Sequence, residues 1–126
     1  MKKLFPAAFA AVCLQFGLCA PGVAGEGDIG PVYIQDVSVI ALPSGGHLAG
    51  NLEVRVKGGF TVPASVSCDG NWITTLKSVD ADKRLFALLS LAQTTKQPVG
   101  LRITDDGNYR AFPGRCSLVW VFLQGS

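Results

Sequence analysis

Few side chains in this sequence of 126 residues could do chemistry, and they are widely spaced. The single histidine, His47, lies in the stretch Ser44-Gly45-Gly46-His47, where a serine three residues from an imidazole invites a nucleophile–base pairing. Such a pair needs an acid that orients the imidazole and donors that receive an oxyanion. Its sequence neighbours supply neither, so His47 reads as a solvated turn histidine. Asp105-Asp106-Gly107-Asn108 has the oxygens of a calcium loop. A calcium ion takes about six to eight oxygens, and the helix–loop–helix version closes on a bidentate glutamate that does not follow here. Gly and Asn tolerate positive φ, so this stretch reads as a hairpin turn. Asp80 and Asp82 could be the two carboxylates of a glycoside hydrolase. Both stand at the start of a helical pattern, where a carboxylate accepts free backbone N–H groups and meets the positive end of the helix dipole. Gly45-Gly46 and Gly58-Gly59 lack the Lys-Ser/Thr that completes a phosphate loop. No catalytic residue, metal site or cofactor is expected, and the chain does not read as an enzyme.

Two groups of residues are left. Cys68 and Cys116 are the cysteines outside the N-terminal export leader expected below, which holds Cys13 and Cys19. In an exported chain such a pair reads as a disulfide, and the loop it closes is worth about 4 kcal/mol in the chain-entropy account. A reactive thiol pair is the weaker reading, because there is no Cys-x-x-Cys and no nearby histidine to activate a thiolate. The second group is aromatic. Aromatic faces stack on sugar rings, and Asp, Asn and Arg hydrogen-bond hydroxyls. Tyr109 with Asp106, Asn108 and Arg110 would form such a cluster on a hairpin tip. Trp72 is a further candidate, or it covers the disulfide. Trp120 is assigned to the core.

The elements that position these residues follow an export leader. Lys2 and Lys3 precede an apolar run from Leu4 through Leu18, and Pro21 to Gly25 offers small residues for a signal peptidase. Residues 1–25 are therefore expected to be a signal peptide, with cleavage after Ala24 or Gly25. The run is shorter than the ~20 residues of a membrane span. Cys19 raises a lipid anchor, which the bulky Phe16 and Leu18 disfavour. Of eleven basic residues two, Lys2 and Lys3, leave with the leader, and nine acidic residues remain to balance the rest. A neutral domain has no electrostatic footprint for nucleic acid and no basic run for a membrane surface.

After a flexible lead-in at 26–30, one domain is expected over 31–126. Val32 to Leu42 reads as a long strand whose two faces are both partly apolar, a pattern that coils or bulges. Leu48, Leu52, Val54 and Val56 alternate with Asn51, Glu53, Arg55 and Lys57, the period of a half-buried antiparallel strand. A third strand is expected at Trp72 to Val79. From Ala81 to Thr95 the period becomes helical, with Leu85, Leu88, Leu89 and Ala92 on one stripe and Pro98 as the far limit. Val99 to Thr104 reads as a strand, Tyr109 to Phe112 as its short hairpin return, and Cys116 to Leu123 as a final apolar strand. Three strands, a helix and two or three more strands form the order of an OB-fold: a five-stranded barrel with the helix between its third and fourth strands. An α+β sandwich is the alternative.

The stretch Leu85-Phe86-Ala87-Leu88-Leu89-Ser90-Leu91-Ala92-Gln93 followed by Thr94-Thr95-Lys96-Gln97-Pro98-Val99-Gly100-Leu101-Arg102-Ile103 resembles the helix and strand of B subunits in bacterial AB5 toxins of the subtilase-cytotoxin type. In that family a similar helix runs into a T-G-Q-P-V-R-I strand. It is also similar to small periplasmic proteins with the same helix–strand pattern. The resemblance, over residues 85–103, implies an OB-fold, a possible ring of five copies, and glycan recognition on the barrel side. Together these readings lead to the expectation of a periplasmic or secreted, non-enzymatic binding module that recognises a glycan or a host or envelope protein. The alternative is a monomeric periplasmic protein with a structural or inhibitory role towards another exported protein.

Overall fold

The computed structural model describes residues 24–125, so the expected signal peptide of residues 1–25 lies outside the described residues except for Ala24 and Gly25. Six strands and one helix follow: β1 Glu26–Val32, β2 Ile34–Val39, β3 Leu52–Val56, β4 Trp72–Thr75, α1 Arg84–Thr95, β5 Val99–Thr104 and β6 Ser117–Leu123. They form two three-stranded antiparallel sheets, ordered β1-β5-β6 and β2-β3-β4. The expected mainly β fold with one helix and one disulfide is present. The five-stranded closed barrel is not, and the helix follows the fourth strand rather than the third.

The extra strand is the stretch expected as a flexible lead-in. Residues 26–30 open β1, which runs along the edge of its sheet and pairs Glu26 with Thr104 and Asp28 with Arg102. An edge strand needs only one face in the core, and β1 places Ile29 there while its polar residues face out. The long strand expected from Val32 breaks at Tyr33, and the register shifts on both sides of the break, within β1 and within β2. This bend carries the chain from one sheet to the other.

The expected alternation fails before the strand, where Leu48 is exposed and Asn51 is buried, and holds within β3, where Glu53 and Arg55 face outward and Leu52, Val54 and Val56 are buried. They meet Ile29, Ile34, Ile73, Leu101, Ile103, Leu118 and Val121 in one core. The sheets are also joined away from the Tyr33 bend. Ile73 of β4 bridges Cys116 in parallel, and Thr74 N–H donates to the Cys116 carbonyl at 3.0 Å. The Cys68–Cys116 disulfide, with Cα atoms 5.5 Å apart, ties the loop before β4 to the entry of β6.

Helix α1 packs on β2 and β6. It buries Leu89 and Ala92 completely and Leu85 and Leu88 in part, as the stripe requires. Asp80 caps it from a distance. Its two carboxylate oxygens accept the Leu85 and Phe86 N–H groups at 2.9 and 3.1 Å, and the residue entering the helix, Lys83, has a left-handed backbone. Asp82 instead faces Arg84 at 3.8 Å. At the other end Lys96 turns left-handed and Gln97 N–H donates to Ala92. Asp80→Ala leaves two amides of the first turn without their acceptor. It is expected to cost about 1 kcal/mol, measured as a fall of about 5 °C in melting temperature.

Candidate functional site

The tip expected to bind sugar is tied into its own turn. Asp106 accepts the Asn108 N–H at 2.9 Å, and its own N–H donates to Thr104 Oγ1 at 3.1 Å. Arg110 folds back, Nη2 donating to the Asp105 carbonyl at 3.0 Å. Tyr109 and Asn108 are left exposed. The segment after this turn does not return along β5 as a hairpin. Both sides of β5 are already occupied by β1 and β6, so the chain crosses to the other sheet, where Arg110 bridges Thr75.

Trp72 is not part of that tip. It starts β4 on the outer face of the second sheet, where the Arg55 and Arg115 guanidinium groups lie 5.1 and 5.3 Å from its ring centroid. His47 belongs to the same face and is not a solvated turn residue. Its ring stacks on Phe112 at 4.3 Å and its Nε2 lies 3.2 Å from Glu53 Oε2. Arg115 Nη1 donates to that same oxygen at 2.6 Å and to Thr74 Oγ1 at 3.2 Å. Glu53 thus supplies the acid that the neighbours of His47 in sequence lack, but Arg115 already neutralises it. Ser44 meets His47 through backbone hydrogen bonds. The group is a structural knot that fastens the 44–47 turn and the 112–115 loop to β3. Among the described residues, no three His, Cys, Asp or Glu side chains cluster to hold a metal ion.

The outer face of the first sheet offers a different arrangement. Asp28, Arg102 and Trp120 pair across β1, β5 and β6 and form one row. Trp120 was expected in the core, yet it is 55 % exposed. A bulge is the reason. Arg102 pairs with Trp120 and the next residue, Ile103, pairs with Leu118, so Val119 is an extra residue on β6. The bulge breaks the alternation and turns Val119 and Trp120 outward while Leu118 and Val121 stay buried.

The row is built to hold its shape. Arg102 Nε and Nη2 donate to the two Asp28 oxygens at 2.7 and 3.0 Å, a bidentate geometry that fixes the guanidinium plane. This pairing holds the Asp28 carboxyl below the usual aspartate range and raises Arg102 further. The guanidinium carbon sits 5.6 Å from the Trp120 ring centroid. Nη1 is 3.9 Å from Glu26, beyond hydrogen-bonding reach, and so keeps donors for another acceptor. Phe122 stands edge-on to Trp120 at 6.0 Å. Its ring lies over Gly100, where any Cβ would collide with it. An exposed indole, an oriented guanidinium and two carboxylates are chemistry for stacking on a pyranose face and bonding its hydroxyls.

Concave surface lies elsewhere. A half-open groove of about 570 Å³ runs between the β1–β2 bend and the end of α1, lined by Tyr33, Gln35, Lys57, Gln93 and Lys96 among others. Gln93 Nε2 closes part of its floor by donating to the Gln35 carbonyl at 2.7 Å. Among the described residues, no helix is long and apolar enough to cross a membrane. Compared with protein-family models, with curated proteins and with solved structures, the chain finds no match.

Proposed function

We propose that this chain is an exported, non-enzymatic carbohydrate-binding module that seats a sugar ring on the exposed side of Trp120. The observation that carries the reading is the row Asp28–Arg102–Trp120, an aromatic platform 55 % exposed beside a preorganised charged pair. Stacking on the indole supplies affinity, and the Arg102 donors and Asp28 acceptors select the hydroxyl pattern. Oxidation of Cys68 and Cys116 fits a periplasmic or extracellular site of action, reached through the N-terminal signal peptide. A glycan array probed with the folded, oxidised protein tests this directly, with Trp120→Ala as the companion. Retention of defined glycans by the parent protein and their loss in the variant is the expected result.

The resemblance at residues 85–103 adds assembly to this proposal: several copies, five in the toxin arrangement, would present several Trp120 faces to one glycosylated surface. Multivalency of that kind raises avidity without new contacts. Light scattering on the eluting mature protein is expected to give a mass near five protomers. A monomer removes the ring and leaves single-site binding.

A further inference from the structure

The backbone of Gly25 is hydrogen-bonded through both its N–H and its carbonyl. Gly25 N–H donates to Asp105 Oδ1 at 2.8 Å, and Ser67 N–H takes the other carboxylate oxygen at 2.9 Å. The Gly25 carbonyl accepts from Thr104 Oγ1 at 2.9 Å and from the Asp105 N–H at 3.3 Å. Residue 25 must be glycine there, because a Cβ would run into the Ser65 carbonyl. Ala24, one residue earlier, is exposed. Among the described residues, Gly25 is thus the first that the fold grips.

We infer that the export peptidase cuts between Ala24 and Gly25, and that the new α-ammonium of Gly25 forms an ion pair with Asp105 that locks β1 onto β5. This rests on the exported reading of residues 1–25. Cleavage one residue later would remove the group that fills Asp105 Oδ1 and both donations to the Gly25 carbonyl. It would also place Val23, rather than the smaller Gly22, three residues before the cut. In the cut, water adds its hydroxyl to the Ala24 carbonyl carbon and a proton to the Gly25 nitrogen as the C–N bond breaks. The proton of the new carboxyl passes through solvent to the amine. A neutral amide donating to the Asp105 carboxylate is replaced by an α-ammonium, so a hydrogen bond to one charge becomes an ion pair.

The charges around the pair set its pH window. Asp105 is held below the usual aspartate range, first by the Gly25 N–H, with Ser67 N–H and the Arg110 charge contributing. Glu26, the next residue along, pairs sideways with Arg102. The carboxylate raises the α-amine above its ordinary value of about 7.7 to 8.0. The stabilisation is complete below that value and is lost as pH rises through the folded value.

The test begins with the full chain, leader included, exported in a Gram-negative host. Intact mass and N-terminal sequencing of the periplasmic protein are expected to give Gly25 as the first residue; a start at Glu26 or beyond overturns the inference. A lipidated Cys19 as first residue likewise overturns the inference while leaving export intact, and a retained leader overturns the exported reading on which it rests. Next, mature protein beginning at Gly25 is compared with protein beginning at Ala24, each with and without Asp105→Asn. Asp105→Asn is expected to lower the melting temperature by about 8 °C in the Gly25 form and by less than half as much in the Ala24 form. Equal losses overturn the ion pair. Should Asp105→Asn fail to fold, the two parent proteins decide. The Gly25 form is expected to melt higher near pH 6.5 and to lose that lead by about pH 10, and a lead independent of pH overturns the proposal.

Discussion

Reducing the Cys68–Cys116 disulfide, or replacing Cys68 in Cys68→Ala, lowers the melting temperature by about 20 °C. The cysteines are 48 residues apart, and closing a loop of that length removes about 4 kcal/mol of conformational entropy from the unfolded chain in the loop-entropy account. Domains of this size have total stabilities of about 5 to 15 kcal/mol, so one bond is a large share. Its position adds to the effect. β4 and β6 belong to different sheets and meet through the Ile73–Cys116 bridge, and Cys116 is fully buried beside it. Loss of the bond frees the loop before β4, whose Asp69 N–H also reaches the Gly114 carbonyl at 2.7 Å. Thermal unfolding with and without reductant measures it. Identical melting in both would mean that the sheets hold together through the core alone.

Trp120→Ala is expected to weaken the proposed sugar binding by at least about 30-fold while leaving the fold intact. The side chain is more than half exposed and contributes little to the core, so its removal costs stability of about 0.5 kcal/mol, as for surface positions generally. As a central binding aromatic it is worth at least about 2 kcal/mol, a loss of about 30-fold in affinity. Arg102→Ala acts on the same site by a second route, since it removes both the donors and the group that aligns Asp28. Calorimetry against the best glycan on the array separates the two. Both variants weaken binding, and the change of hydroxyl preference belongs to Arg102→Ala.

The parts of this molecule written locally in the sequence are the parts that could be read from it. β3 shows its period in five consecutive residues, and α1 shows its stripe within three turns. The two cysteines outside the expected signal peptide leave one pairing, and Cys68 and Cys116 form it. The misreadings share a cause, which is that neighbours in space decide them. Residues 26–30 look like a linker because an edge strand buries a single residue there, Ile29, and takes its regularity from hydrogen bonds to β5. Trp120 sits in an unbroken apolar run, and only the bulge opposite Arg102 and Ile103 turns it outward. His47 finds its acid at Glu53 and its stacking partner at Phe112, sixty-five positions along the chain. The run from Leu118 to Leu123 is apolar throughout, so nothing within it marks which residues the bulge turns outward.

The central claim is that the Trp120 row is a sugar-binding surface, and a glycan array read with four proteins tests it most directly: the parent, Trp120→Ala, Tyr109→Ala and Tyr33→Ala. The account predicts that the parent and the two tyrosine variants retain the same glycans and that Trp120→Ala retains none. A folded, oxidised parent that binds no glycan, or binding that survives Trp120→Ala and is lost in Tyr109→Ala or in Tyr33→Ala, would contradict it.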